Sequence, residues 1–127
     1  MSDQVAVLRR DEPVRLDRDR LVELCDQLGE AEAEDLVCRA MEELAVRLSF
    51  TERQHRQGKS AEMRQSARAL ATIAERIGMR TLARVAGDVI FCVDRGDAVA
   101  TAAVVVRLVR IGERSLTAIW DMQDVPV

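Results

Sequence analysis

The sequence has few aromatic residues and few prolines. Only 2% of its 127 residues are aromatic, and tyrosine is absent. The apolar 48% of the chain is therefore almost entirely aliphatic, which favours closely packed helices over a sheet rich in aromatic side chains. Pro13 and Pro126 lie near the two ends, so no proline interrupts a helix between them. These absences predict an all-α fold.

A large excess of one charge and a long apolar run are also missing. The net charge is -3, with 32% charged residues, so nothing draws the whole chain towards nucleic acid or anionic lipid. No stretch reaches the roughly 20 apolar residues that span a bilayer, and the N-terminal residues lack the apolar run of an export signal. We therefore predict a cytoplasmic protein with no nucleic-acid partner and no membrane partner.

Residues that bind metals or carry catalysis are scarce. Cys25, Cys38 and Cys92 are dispersed among apolar helix positions, which predicts buried free thiols in a reducing compartment. His55 is the single histidine, and no cysteine or carboxylate stands at ligand spacing from it. The sequence thus predicts no metal and no cofactor, and it does not favour an enzyme.

Apolar periodicity and capping residues divide the chain into an arm and one helical domain. We expect residues 1–14 to form a flexible arm and residues 15–127 to form a single domain. Short turns between the helices predict an antiparallel up-and-down four-helix bundle with a short additional N-terminal helix. The predicted elements, in chain order, are a helix capped by Asp17 or Asp19 and ended by Gly29, a helix over about 31–55, a helix from a Ser60 cap to Gly78, a helix ending in the turn 95–97, and a last segment over about 98–122 that Asp97 caps.

The last segment has the most ambiguous pattern. It is rich in valine and apolar on nearly every side, so its periodicity alone is compatible with a strand. Its length favours a helix, in which Gly112 is a candidate position for a break. A helix that is apolar all round is either buried in the centre of a fold or shared with another subunit. Two interpretations stay open, a fully buried bundle helix and a homodimer through the last helix.

Residues 64–85 carry small and apolar residues at a fixed spacing, since Leu70, Ala74, Gly78 and Leu82 recur at every fourth position. This spacing resembles the phosphoacceptor helix of the histidine-containing phosphotransfer (HPt) domain of bacterial phosphorelays. In that family His-x-Leu-Lys-Gly-x-Ala is followed by Gly and then Leu at intervals of four residues. The resemblance extends over about residues 21–108 in the order of the helices. It implies an HPt-like bundle that works in two-component signal transduction.

The residues that carry phosphotransfer in that family are replaced. Arg68 stands at the phosphoacceptor position, Ala71 at that of the lysine and Thr72 at that of the glycine. A guanidinium stays protonated and has no lone pair with which to attack phosphorus. The resemblance therefore implies a pseudo-phosphotransferase that binds a response-regulator receiver domain or a histidine-kinase domain. A helical projection places Arg64, Arg68, Ala71 and Glu75 on one exposed strip. The expected partner-binding residues are these four together with Thr72.

Other interpretations stay open. His55 could be a displaced phosphoacceptor in an active phosphotransfer protein, although no pattern of carboxylates is present to orient it. The chain could instead be a structural or oligomeric helical bundle with no tie to signalling. A group of arginines is either ordinary solvated surface or a positive patch that fits the acidic site of a receiver. The group comprises Arg64, Arg68, Arg76, Arg80 and Arg84.

Overall fold

Five α-helices account for most of residues 14–123, which are the residues that the computed structural model of the protein describes, the side chains of the last two excepted. They are α1 (Arg18–Leu28), α2 (Glu30–Arg56), α3 (Ser60–Arg76), α4 (Arg80–Asp94) and α5 (Ala98–Gln123). Within that range no residue belongs to a β-strand, and one isolated bridge joins Leu16 to Met79. The predicted all-α fold is confirmed. The predicted arm lies outside the described residues except for Val14, which packs against the core.

Each of the four longer helices buries an aliphatic face in one shared core. On α2 the buried side chains Val37, Met41, Leu44 and Leu48 recur at spacings of four and three residues, which keeps them on one side of the helix. The other helices contribute further large buried side chains, among them Met63, Leu70, Leu82, Leu108 and Ile111, and Ile77 in the turn after α3 is buried as well. The core is therefore aliphatic, as the composition predicts.

The contacts between helices close around this core. Each of α2, α3 and α4 contacts the next helix in the chain, and α5 contacts both α4 and α2. The short helix α1 packs against α2. The turn between α2 and α3 and the turn between α4 and α5 line the same cavity, so both lie at one end of this helical bundle. None of the described helices is long and apolar enough to cross a membrane.

At the other end, the start of α1 docks on the turn between α3 and α4. The Asp17 backbone N–H donates to the carbonyl oxygen of Gly78 at 2.7 Å, and Arg20 Nε donates to the carbonyl oxygen of Arg76 at 3.0 Å. Gly78 has a φ of 80°, and a Cβ at this position would lie 2.8 Å from the Asp17 carbonyl oxygen. Only glycine combines this backbone conformation with so close an approach. The close approach explains why this turn contains glycine.

Two of the predicted caps are confirmed and one is wrong. Asp17 Oδ1 accepts a hydrogen bond from the Arg20 backbone N–H at 3.2 Å, and Asp97 Oδ1 accepts one from the Ala100 backbone N–H at 3.0 Å. Ser60, in contrast, is already the first residue of α3, and Lys59 occupies the N-cap position without a side-chain hydrogen bond. The helix begins one residue earlier than predicted because the Lys59 carbonyl oxygen accepts from the Met63 N–H at 2.9 Å.

The last helix, α5, runs without a break through Gly112. This glycine is buried where α5 meets α2. A Cβ at Gly112 would lie 2.7 Å from Cδ2 of Leu48 and 3.1 Å from its Cγ, and it would collide with Cδ1. The absence of a side chain therefore lets the two helices approach closely. The interpretation of α5 as fully buried is wrong, because Val99 and Val106 are 83% and 64% exposed.

Candidate functional site

The five residues of the predicted partner-binding strip lie along the middle of α3. Arg68, Thr72 and Glu75 are exposed, whereas Arg64 and Ala71 are half-buried. The opposite side of the helix packs into the core, so the helix cannot rotate to bury the strip. The strip therefore consists of three exposed residues, Arg68, Thr72 and Glu75, and of two residues at the edge of the interface with the neighbouring helix, Arg64 and Ala71.

Arg64 is held by a carboxylate at the end of α4. Its Nε donates to Asp94 Oδ1 at 2.7 Å, and its Nη2 donates to Asp94 Oδ2 at 3.0 Å. These hydrogen bonds lower the pKa of Asp94 below its usual value, and the charges of Arg64 and Arg68 act in the same direction. The same hydrogen bonds raise the pKa of Arg64. The ion pair thus holds the positively charged side chain of Arg64 against α4, at one edge of the strip.

The centre of the strip presents Arg68 and Thr72. Within residues 14–123 the Arg68 side chain makes no hydrogen bond, although it lies near enough to Asp94 for its charge to lower the pKa of that carboxyl. The Thr72 hydroxyl donates to the Arg68 carbonyl oxygen at 3.1 Å, so it is satisfied inside the helix. Ala71 packs against the core and offers no charge. The strip therefore presents the exposed Arg68 cation, and its one hydroxyl, that of Thr72, is used within the helix.

Further arginines continue the surface around the turn between α3 and α4. Arg76, Arg80 and Arg84 are exposed. Acidic residues interrupt them, since Glu75 is exposed and Asp88 pairs with Arg107 across α4 and α5 at 3.7 Å. This surface is mixed in charge, with arginine in excess near the turn.

His55 lies away from the strip, at the end of α2. It is half-buried and lines a cavity of about 290 Å³ together with Lys59, Ser60 and Thr101. None of the described residues that line the cavity is acidic, so no carboxylate is present there to orient the imidazole. Arg68 follows Ser60 by eight residues, which is about 12 Å along a helix. The two candidate positions for phosphotransfer therefore belong to different parts of the surface.

The cysteines are free, and they differ in exposure. Cys38 and Cys92 are half-buried, but Cys25 is exposed, so the prediction that all three are buried is wrong. Leu24 is the only buried residue of α1, and Cys25 is turned about 100° away from it. Among residues 14–123 no three His, Cys, Asp or Glu side chains lie close enough together to hold a metal ion.

The sequence pattern does not indicate two further residues of this region. Asp94 is 30 positions from Arg64, and only the packing of α4 on α3 brings their side chains together. Phe91 is 60% exposed, with the Arg95 guanidinium 5.4 Å from its ring centroid. An apolar ring on a helix is usually taken as a core residue, and its position one turn before the helix end gives no contrary signal.

No protein-family model, curated protein or solved structure matches this chain. None of these comparisons points to the HPt family. The resemblance to HPt domains consequently depends on the residues of 64–85 and on the order of the helices.

Proposed function

We propose that this protein is a non-phosphorylatable pseudo-HPt module of a two-component phosphorelay. It binds a response-regulator receiver domain or a histidine-kinase domain and modulates the relay by occupying that partner.

The proposal includes an antiparallel up-and-down arrangement of α2 to α5. Alternate turns line one cavity, and only residues 77–79 separate α3 from α4. Arg64, near the start of α3, pairs with Asp94, the last residue of α4. A start and an end meet in this way when two consecutive helices run in opposite directions.

The exposed guanidinium of Arg68 carries the functional proposal. Asp94 is hydrogen-bonded to Arg64, and the Arg68 side chain makes no hydrogen bond within residues 14–123. Arg68 can therefore extend towards a partner without breaking an internal ion pair. Receiver domains carry a cluster of acidic residues around their phosphorylation site. Arginine forms strong, paired hydrogen bonds with carboxylate and phosphate groups. A receiver therefore offers the chemistry that this cation recognises.

The neighbouring helix extends the binding surface. In an antiparallel hairpin, Arg64 on α3 and Asp94 on α4 lie at the same height along the helix axes. Four residues forward along α3 and three residues back along α4 are each about one helical turn, so Arg68 and Phe91 lie at about the same height. Phe91 is 60% exposed. Aromatic residues and arginine are both enriched in the buried core of protein interfaces. The proposed surface thus consists of Arg68, Thr72 and Glu75 on α3 and Phe91 on α4.

A phosphotransfer assay tests the absence of chemistry. The pure protein is mixed with phosphorylated receiver domains encoded in the same genome, and transfer of labelled phosphate is followed. We expect no phosphorylated form of this protein. A stable phosphoprotein whose label is lost in the His55→Ala variant would instead establish the active phosphotransfer protein.

A binding assay tests the docking surface. The same receiver domains, together with the histidine-kinase domains of that genome, are titrated with the wild-type protein and with Arg68→Glu. We expect Arg68→Glu to weaken binding about tenfold or more, because it places a carboxylate against an acidic site. Arg39→Glu is the matched control, since Arg39 is exposed on α2 and the charge change is the same. Equal affinities for the two variants would refute docking through α3.

A further inference from the structure

Gly87 lies in the middle of α4, where the fold gives no reason for a glycine. It is exposed, a Cβ added to it would meet no neighbouring atom within 4 Å, and its φ is not positive. Glycine is less favourable than alanine in a helix interior, but it also serves where another backbone must come close. Since nothing in the described chain comes close to Gly87, this position is suited to the close approach of another molecule.

The side chains around Gly87 are of the kinds found in interfaces. A turn of about 100° per residue places Arg84, Gly87, Phe91 and Arg95 within an arc of about 80° and over about 16 Å along the helix. Phe91 is 60% exposed, and Arg84 and Arg95 are exposed as well. The Arg95 guanidinium lies 5.4 Å from the centroid of the Phe91 ring. Aromatic residues and arginine are both enriched in protein interfaces. These four residues form the outward face of α4.

The positive charge of the outward face of α4 is not balanced within the described chain. The two carboxylates of α4 are Asp88 and Asp94, and each forms an ion pair with an arginine of a neighbouring helix. Within residues 14–123 neither Arg84 nor Arg95 makes a hydrogen bond or an ion pair through its side chain. Two guanidinium groups, one on each side of Gly87, are therefore available to an anionic partner.

We infer that the outward face of α4 binds an acidic helix of a partner protein. The axes of two packed helices lie about 8–10 Å apart, depending on the side chains at the contact, and Gly87 permits the short end of that range. Carboxylates of the partner helix pair with Arg84 and Arg95, about three turns apart. Apolar side chains between those carboxylates contact Phe91. The net charge of -3 disfavours a nucleic acid in this place.

This inference goes beyond the proposed function. Phe91 also borders the α3 surface around Arg68, but binding through α4 does not require the partner to be a receiver domain or a histidine-kinase domain. A synthetic helix can therefore test the α4 face whatever the outcome of the receiver titrations.

The probe is a soluble helical peptide of about five turns, with alanine and leucine along one side and glutamate on both edges. It is titrated into the wild-type protein while the backbone amide NMR shifts are followed. We expect saturable binding with the largest shifts at Arg84, Gly87, Phe91 and Arg95, and no binding of a control peptide that has lysine in place of glutamate. Absence of binding, or shifts confined to other helices, would overturn the inference. So would binding of a single-stranded oligonucleotide to α4 in place of the acidic peptide.

A substitution at Gly87 tests the close approach. Leucine is a better helix former than glycine and meets no neighbouring atom at its Cβ, so Gly87→Leu keeps the fold. It adds apolar surface, which would strengthen the binding of a helix that lies further out. We expect it instead to weaken binding of the acidic peptide about tenfold, because its side chain occupies the space of the approaching backbone. Ala45→Leu, at an exposed position of α2, is the matched control. Unchanged or stronger binding by Gly87→Leu would refute the close approach.

A charge reversal tests the recognition of carboxylates. Arg84→Glu should weaken binding of the acidic peptide about tenfold, because it opposes two like charges. Arg39→Glu makes the same change at an exposed position of α2 and should leave the affinity unchanged. Equal affinities for the two variants would overturn the pairing of Arg84 with the partner.

Discussion

Replacing Gly112 by alanine tests the close packing of α5 on α2. In an open helix this change stabilises, because alanine has a higher helix propensity than glycine by about 1 kcal/mol. At Gly112 the added Cβ meets the side chain of Leu48, with 2.7 Å to Cδ2 and 3.1 Å to Cγ. Leu48 is only 6% exposed, so its side chain has little room to move away.

The expected magnitude follows from two opposing terms. Inserting a methyl group into a packed core costs about 1–3 kcal/mol, and the gain in propensity offsets about 1 kcal/mol of it. Gly112→Ala should therefore lower the free energy of unfolding by between about 0 and 2 kcal/mol. Gly87 provides the control, since it lies inside α4 with no atom within 4 Å of an added Cβ. Gly87→Ala should stabilise the protein by about 1 kcal/mol.

Urea unfolding followed by circular dichroism measures both changes. The sharpest form of the test repeats Gly112→Ala in a Leu48→Ala background. Leu48→Ala alone should cost about 2–5 kcal/mol, but it removes all three atoms that obstruct the Cβ. Gly112→Ala should then become stabilising, and this change of sign measures the contact directly. Equal effects of Gly112→Ala and Gly87→Ala in the wild-type background would refute the close approach.

Two further predictions concern the turn that holds α1 and the ion pair that flanks the strip. Gly78→Ala should destabilise the protein by about 1–3 kcal/mol more than Gly96→Ala, because both glycines have positive φ but only the Cβ at Gly78 would meet the Asp17 carbonyl oxygen; equal losses in urea unfolding would contradict the docking of α1. The pKa of Asp94, measured by NMR titration of its carboxyl carbon, should lie below its usual value of 3.8 and rise towards it in Arg64→Gln. Since the folded-state pKa is the lower one, stability from this pair is present above the unfolded value and is lost as the pH falls through the folded one; an unchanged pKa in Arg64→Gln would show that Arg64 does not pair with Asp94.

The all-α class and two of the helix caps could be predicted because local patterns determine them. Asp17 and Asp97 cap helices through hydrogen bonds to residues three positions away, so a short stretch of sequence contains all the information needed. The prediction of Ser60 as an N-cap is wrong, although the predicted turn with Gly58 is present. In that case the choice between Ser60 and Lys59 depends on one backbone hydrogen bond, which the residue types do not determine.

Features that depend on contacts between helices far apart in the sequence could not be predicted. Gly112 is a candidate position for a helix break because glycine weakens a helix locally. In the structure, glycine is required at this position because Leu48 of α2 occupies the space that a Cβ would need. In the candidate site, too, some features follow from the local sequence pattern and others depend on contacts between helices. Periodicity indicates that Arg68 is exposed, whereas the restraint of Arg64 by Asp94 requires the packing of α4 on α3. Exposure of Phe91 likewise depends on how the helices pack.

The α3 surface around Arg68 is the proposed binding site for a receiver or histidine-kinase domain. Mapping of backbone amide NMR shifts during titration with such a domain tests it most directly. We expect the largest shifts at Arg68, Thr72, Glu75 and Phe91, and we expect Arg68→Glu to suppress them. Binding that shifts only residues around His55 or along α5, with α3 unaffected, would contradict it.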